Sequence, residues 1–440
     1  MITIARLSVE HSERSCVTDN PHPRFSYEVR SDKPGVVVSD ARLSVGDWTC
    51  EANDQAVAVY DGEPLRPFTE YLVALDVNTV DGEHAHAETT FETGRLGLSW
   101  QGQWISDAGY SFVEKKVSPL PMMFRKTFTC DSSKNVRRVR LYATAMGMYD
   151  FTCDGHKIGN RYFAPGFTSY KTNLQYQTYD VTDMVGAGAS HTLLATVAGG
   201  WAVGSFVFTR KNRVSADRQA LLAELRVEYT DGSVEVIGTD TSWDVSESGP
   251  VRMADLYDGE TYDARMEPGA DGSRCRDWRS ASLETLRRQP KHIEADYGAG
   301  VVAHEILKPV SMTRRDGGEL VYDFGQNFAG VVRMRIINGR DGQTVVVRHA
   351  EILNPDGSLN TRFLRTAKAT AAYTCVDASD APDGVQEYSP RFTYMGFRYV
   401  SVRGVSADDL RIEAIVLHSD LRAIGDFECS DRRLNQLQHN

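Results

Sequence analysis

The feature that most constrains the fold of this 440-residue chain is a two-residue alternation of apolar and polar side chains, cut at intervals by Asp-Gly. "RVRLYATAMGMYDFTCDG" (138–155) and "LLAELRVEYTDGSVEVIG" (221–238) both alternate in this way. A strand sends successive side chains to opposite faces, so period 2 marks a half-buried strand, whereas a helix needs a repeat of about 3.6. Asp231-Gly232 stands between two alternating runs, and residues tolerant of positive φ at that point read as a hairpin turn. "VRMRIINGRDGQTVVVRHAEIL" (332–353) repeats the device at Asp341-Gly342, so a second hairpin is expected there. "NPDGSL" (354–359) is turn chemistry. The chain shows no repeat of about 34 or 40 residues and no low-complexity tract. These signals predict a mostly β protein of consecutive sandwich or jelly-roll domains.

The length suits about three domains, and three blocks can be drawn. In the first, residues 1–95, Leu65, Pro67, Thr69 and Tyr71 are spaced two apart. That spacing resembles a fibronectin type III pattern, in which a corner Tyr bonds its hydroxyl back to the chain. The second, 100–295, opens at "WQGQWISD" and carries a strand ending at Asp154-Gly155, a long loop, "YQTYDVTDMV" and "HTLLATVAGGW". The third, 300–425, runs from "LVYDFGQNFAGVVRMRI" to "IEAIVLHSD". At the end, "CSDRRLNQLQHN" (429–440) reads as the first turns of a helix, with Ser430 as N-cap and Leu434 and Leu437 on one face.

Composition narrows the partners. A net charge of −11, with no Lys/Arg run beyond short pairs such as Arg314-Arg315, argues against nucleic acid and anionic membrane as partners. No stretch reaches 18 apolar residues. The seven cysteines are widely spaced and include no CxxC, so no zinc site is expected. "MITIARLSVEHSERSC" lacks a basic segment followed by an apolar run; with the thiols read as free, the expectation is a cytoplasmic protein.

Six segments together resemble the bacterial α-L-rhamnosidases of the inverting type. They are "APGFTSY" (164–170), "YDVTDMV" (179–185), "DLYDGETYDAR" (255–265), "YDFGQNFAG" (322–330), "PRFTYMGFRYVSV" (390–402) and "LHSDLRAIGDFECSDRRLNQL" (417–437). They occur in the family's order across almost the whole chain. The resemblance implies that 100–295 is a jelly-roll N-terminal module and 300–425 a second β-sandwich module. It makes 426–440 the start of a six-hairpin α/α barrel. It also implies that the two catalytic carboxylates lie in that barrel, so no catalytic residue is assigned here. The modules would pack against the barrel, and the substrates would be rhamnosides. The family usually has an aromatic after the Trp of "GGW"; here Ala202 follows Trp201.

Within the chain, the best local carboxylate pair is Asp258 and Glu260 in "YDGETYD", with Tyr257 and Tyr262 as a possible sugar platform. At i and i+2 on a strand the two acids would share one face, whereas a glycosidase pair must flank the scissile bond. The alternative is that this acidic, aromatic loop packs on a neighbouring domain. Trp201, in "AGGWAVGS", is either a stacking surface for a sugar ring or part of the core. His84 and His86 in "DGEHAHAE" read as solvated turn residues, and Glu351, Asn354, Asp356 and Asn360 as turn residues rather than a calcium site, so neither metal nor cofactor is expected. Two functions remain open: an accessory region of an α-L-rhamnosidase, or a stand-alone carbohydrate-binding or scaffold β-protein.

Overall fold

The structure, a computed structural model, describes residues 1–12, 16–52, 57–110, 114–207 and 209–439. Among these, 31 strands stand beside two α-helices of four and eight residues and six short 3₁₀ turns, so the chain is mostly β.

The first two sheets are contiguous in sequence. One has the order Ile2–Val9, Arg24–Ser31, Ala58–Val59; the other Val17–Thr18, His84–Thr93, Glu70–Thr79, Val38–Val45, Trp48–Glu51. Glu70–Thr79 shows why the alternation becomes a strand. Val73, Leu75 and Val77 point into a core with Phe25, Leu43 and Phe91, while the residues between them face outward. Tyr71 stacks on Phe91 at 5.4 Å, and its hydroxyl accepts from the Arg66 amide at 2.8 Å.

The next two sheets share one core. The six-stranded sheet pairs Met122–Thr129 with Ser190–Ala198, which in turn pairs with Met148–Cys153. The seven-stranded sheet is centred on Ala220–Tyr229 and Val136–Met146. Phe124, Phe151, Leu141, Leu225 and Trp243 fill the space between them. Asp154-Gly155 and Asp231-Gly232 both close hairpins, with the glycines at φ 82° and 83°.

The last sheet has ten strands, and its axis is the 18-residue strand Leu320–Ile337. Near Gly325, at φ 82°, the register of this strand against Met395–Arg403 slips between Asp323 and Phe328. The strand can therefore pair first with Met395–Arg403 and then with Leu410–Ser419. "YDFGQNFAG" encodes this irregularity, with Phe324 and Phe328 packed on Phe397 and Asp323 held by Arg398 at 2.8 and 2.9 Å.

Two local expectations are corrected. Asp341-Gly342 does turn, with Gly342 at φ 72°, but its flanking strands do not pair: Met395–Arg403 lies between them in the sheet. At the end, Asp431 rather than Ser430 caps helix α2 (Arg432–His439), its Oδ1 accepting from the Arg433 amide at 2.9 Å. Leu434 and Leu437 are exposed, and Asn440 lies outside the described residues.

Candidate functional site

The "DLYDGETYDAR" segment falls within 100–295 by sequence, yet its two strands belong to the ten-stranded sheet. Val251–Asp255 pairs antiparallel with Gly259–Asp263, which runs parallel to Thr370–Thr374. Gly259 sits at φ 116°, and a Cβ there would lie 1.8 Å from the Thr370 carbonyl oxygen, so the turn between these strands requires glycine.

Asp255, the first residue of this motif, organises the turn. Its Oδ1 accepts from the amides of Tyr257 (2.8 Å) and Asp258 (2.9 Å). Its Oδ2 accepts from the hydroxyls of Ser118 and Ser205, both at 2.6 Å. Those serines come from loops of the preceding sandwich, so one buried carboxylate ties two domains. Arg210 adds a charge: its Nη2 is 2.9 Å from Asp258 Oδ2 and 3.5 Å from Asp255 Oδ1, and its guanidinium lies 5.2 Å from the centre of the Tyr257 ring. Lys368 Nζ is 3.4 Å from Asp258 on the other side. Asp258 therefore sits in the turn, not on the strand, between two cations.

Glu260 is fully buried and faces a different set of partners. It accepts from the Tyr388 hydroxyl (3.1 Å) and from the amides of Arg391 (3.0 Å) and Phe392 (2.9 Å). Burial pushes its pKa up, against these donors, which act in the opposite direction. Tyr262 stacks on Tyr373 at 5.7 Å and donates to Glu267 at 2.9 Å, so its ring is packed rather than presented. Trp201, on α1 (Gly200–Val203), is half-buried between Phe163 (6.3 Å, edge-on) and Phe167 (5.8 Å). Phe167 is 62% exposed and also meets Phe206 at 5.5 Å, giving this face an aromatic rim. Ala202 is buried in an adjoining cluster with Met146 and Val203. The structure thus joins Tyr257 and Asp258 in one knot, packs buried Glu260 and partly buried Tyr262 in a second, and places Trp201 in a third, aromatic one.

Two other groups resolve into structural features. Cys153, Asp154 and His191 have ligand-type atoms within 4.8 Å of one another. However, His191 Nδ1 lies 2.7 Å from Asp154 Oδ2, His191 Nε2 accepts from the Gly186 amide at 2.9 Å, and burial pushes the Cys153 thiol up to about 12. The 354–359 turn is closed by its own hydrogen bonds, from the Asn354 amide to Ser358 O (2.8 Å) and from Ser358 to Asp356 Oδ1 (2.9 and 2.6 Å).

A row of β-sandwiches whose acidic motif fastens one domain to the next is an accessory region. Three family models match it in order: "Rha78A-like, N-terminal immunoglobulin domain" over 4–97, "Alpha-L-rhamnosidase N-terminal domain" over 134–307, and "Bacterial alpha-L-rhamnosidase concanavalin-like domain" over 313–418. The chain belongs to the bacterial α-L-rhamnosidase family, of which it carries these N-terminal modules. It is 40% identical over 315 residues to an α-L-rhamnosidase of Streptomyces avermitilis, covering 70% of this chain and 29% of that protein. The crystal structure of an α-L-rhamnosidase from Aspergillus terreus superposes with a TM-score of 0.91 at 30% identity, over 100% of this chain and 52% of that one. A Streptomyces avermitilis α-L-rhamnosidase complexed with L-rhamnose gives 0.88 at 27% identity, over 100% and 60%. The chain spans between about a third and three fifths of these relatives' lengths.

Proposed function

We propose that this chain is the N-terminal part of an α-L-rhamnosidase that removes terminal α-L-rhamnosyl residues from glycosides with inversion. In this reading the domains are a fibronectin type III-like sandwich (1–95), a jelly-roll module (100–295) and a second sandwich (300–425). Residues 426–440 begin an α/α barrel that supplies the acid and base and packs against the sandwiches. The observation that carries the reading is the superposition of this whole chain on about half of the Aspergillus terreus α-L-rhamnosidase. The engagement of Asp258 and Glu260 in separate buried networks supports a catalytic pair elsewhere, because an inverting pair must hold a water and the leaving oxygen on opposite faces of one ring. The likeness to a Streptomyces avermitilis enzyme crystallised with L-rhamnose supports a rhamnoside as substrate. The seven free cysteines support a cytoplasmic location.

The test is a chromogenic α-L-rhamnoside assay on the 440-residue chain beside a longer chain that includes the following domain. Turnover by the longer chain alone is expected. Turnover by the short chain that Asp258→Asn or Glu260→Gln abolishes would place the active site here and overturn the reading.

A further inference from the structure

The segment between the strand Leu410–Ser419 and α2 has neither helix nor strand, and none of its residues is buried. It leaves the ten-stranded sheet at Asp420, whose amide donates to the Gly300 carbonyl at 2.9 Å. It then passes the first sandwich. Arg6 of Ile2–Val9 and Glu28 and Arg30 of Arg24–Ser31 line, together with residues 422–426, a cleft of about 550 Å³. Charge links the two sides of this cleft. Glu28 accepts from Arg30 at 2.8 Å, and that bond, with the charges of Arg6 and Arg422 acting the same way, holds the Glu28 carboxyl below its usual range.

The same stretch leaves its large apolar side chains bare. Ile424 is 88% exposed, and Leu421, Phe427, Leu434 and Leu437 are each exposed by half or more. None of the five joins a hydrophobic cluster of the described residues. One exposed leucine is ordinary, but a run of large apolar residues without apolar neighbours marks an interaction surface. We propose, resting on the reading above, that these five residues are the docking strip for the α/α barrel that follows α2, and that the first sandwich backs the strip by holding residues 422–426. The strip runs directly into α2, so the domain continuing from α2 is tethered beside it, whereas a second copy of the chain would lose its full translational and rotational freedom on binding. The chain spans between about a third and three fifths of its relatives' lengths, which leaves room for such a domain. The chemistry divides in the same way. Arg422 answers Glu28 on the first sandwich, while the apolar side chains are left for a neighbour. Held between two domains, this segment fixes the barrel relative to the first sandwich as well as the last.

The experiment is amide hydrogen exchange at residues 421–428 in the 440-residue chain and in the longer chain that includes the following domain. Exchange about tenfold slower or more is expected in the longer chain, because a covered segment must open before its amides exchange. Ile424→Ser with Phe427→Ser should return the longer chain to fast exchange and leave the 440-residue chain unchanged. Leu72→Ser, which alters an exposed leucine on the other sheet of the first sandwich, should leave the protection intact. Equal exchange in the two chains overturns the docking strip, as does protection in the 440-residue chain that grows with its concentration, since a second copy would then be the occupant. Rhamnoside turnover is read on the same longer chain. Turnover with an unprotected segment overturns the strip and leaves the functional reading standing. Protection without turnover supports the strip and counts against the functional reading.

Discussion

His349 is buried, with its ring edge-on to Phe397 at 4.8 Å and its Nδ1–H donating to the Ala369 carbonyl at 2.8 Å. Nε2 has no partner among the described residues, so a second proton there would be unsatisfied, and burial lowers the pKa from 6.5 to about 4. The folded pKa lies below the unfolded one. Between about pH 6.5 and 4 the unfolded chain therefore holds a proton that the folded chain lacks, and stability rises with pH. The contribution is present above about pH 6.5 and is lost as the pH falls towards 4, amounting to roughly 3 kcal/mol. Denaturant unfolding across this window should show the loss, and His349→Asn, whose amide can still donate to Ala369, should flatten it. An unchanged pH profile in that variant would assign the effect to other groups.

Elements depend on close approaches that single residues permit. Gly259 and Gly232 both sit in turns at positive φ, but a Cβ at Gly232 meets nothing within 4 Å, whereas one at Gly259 would strike the Thr370 backbone. Gly232→Ala should cost about 1 kcal/mol, the left-handed penalty of a non-glycine residue. Gly259→Ala should cost about 3 kcal/mol or more, because the seam between Gly259–Asp263 and Thr370–Thr374 must open. Thermal unfolding of the two variants side by side measures the difference, and equal costs would mean that the seam tolerates the shift.

At the scale of the molecule, buried charges join the first sandwich to the second. Arg95 donates to Glu224 at 2.6 Å with both side chains nearly inaccessible, and its guanidinium lies 4.2 Å from the Trp100 ring centre. Glu92 pairs with Arg138 and Arg140 from the second sandwich, and Asp19 accepts from Tyr176 and the Ala295 amide. Gly94 belongs to the same joint: a Cβ there would lie 2.1 Å from the Tyr176 hydroxyl. Removing one partner of a buried pair leaves the other uncompensated, so Arg95→Met should cost about 3–5 kcal/mol, and Arg95→Met with Glu224→Gln should recover part of it. Faster proteolytic cleavage between residues 95 and 104 in the single variant, reversed in the double, is the expected signature. Equal cleavage in all three chains would show that the joint does not depend on this pair.

The sequence by itself determined what is local. Alternation specified strands, as in Glu70–Thr79, because side-chain period is a property of one strand. Asp-Gly specified turns, because positive φ is a property of one or two residues. The order of six motifs specified the family. Of the candidate site, Asp258 and Glu260 were legible as acids in an aromatic loop, but not their separation into two networks, and Arg210 gave no signal at all. The tertiary structure decided which strands meet. Asp341-Gly342 turns without making a hairpin because Met395–Arg403, from some fifty residues downstream, takes the place between its flanks. Residues 251–263 leave their sequence neighbours for another sheet because Thr370–Thr374 offers a parallel edge and Asp255 finds Ser118 and Ser205. Strand partners are chosen by hydrogen bonds and burial between segments remote in sequence, and the pattern within one strand carries no record of them.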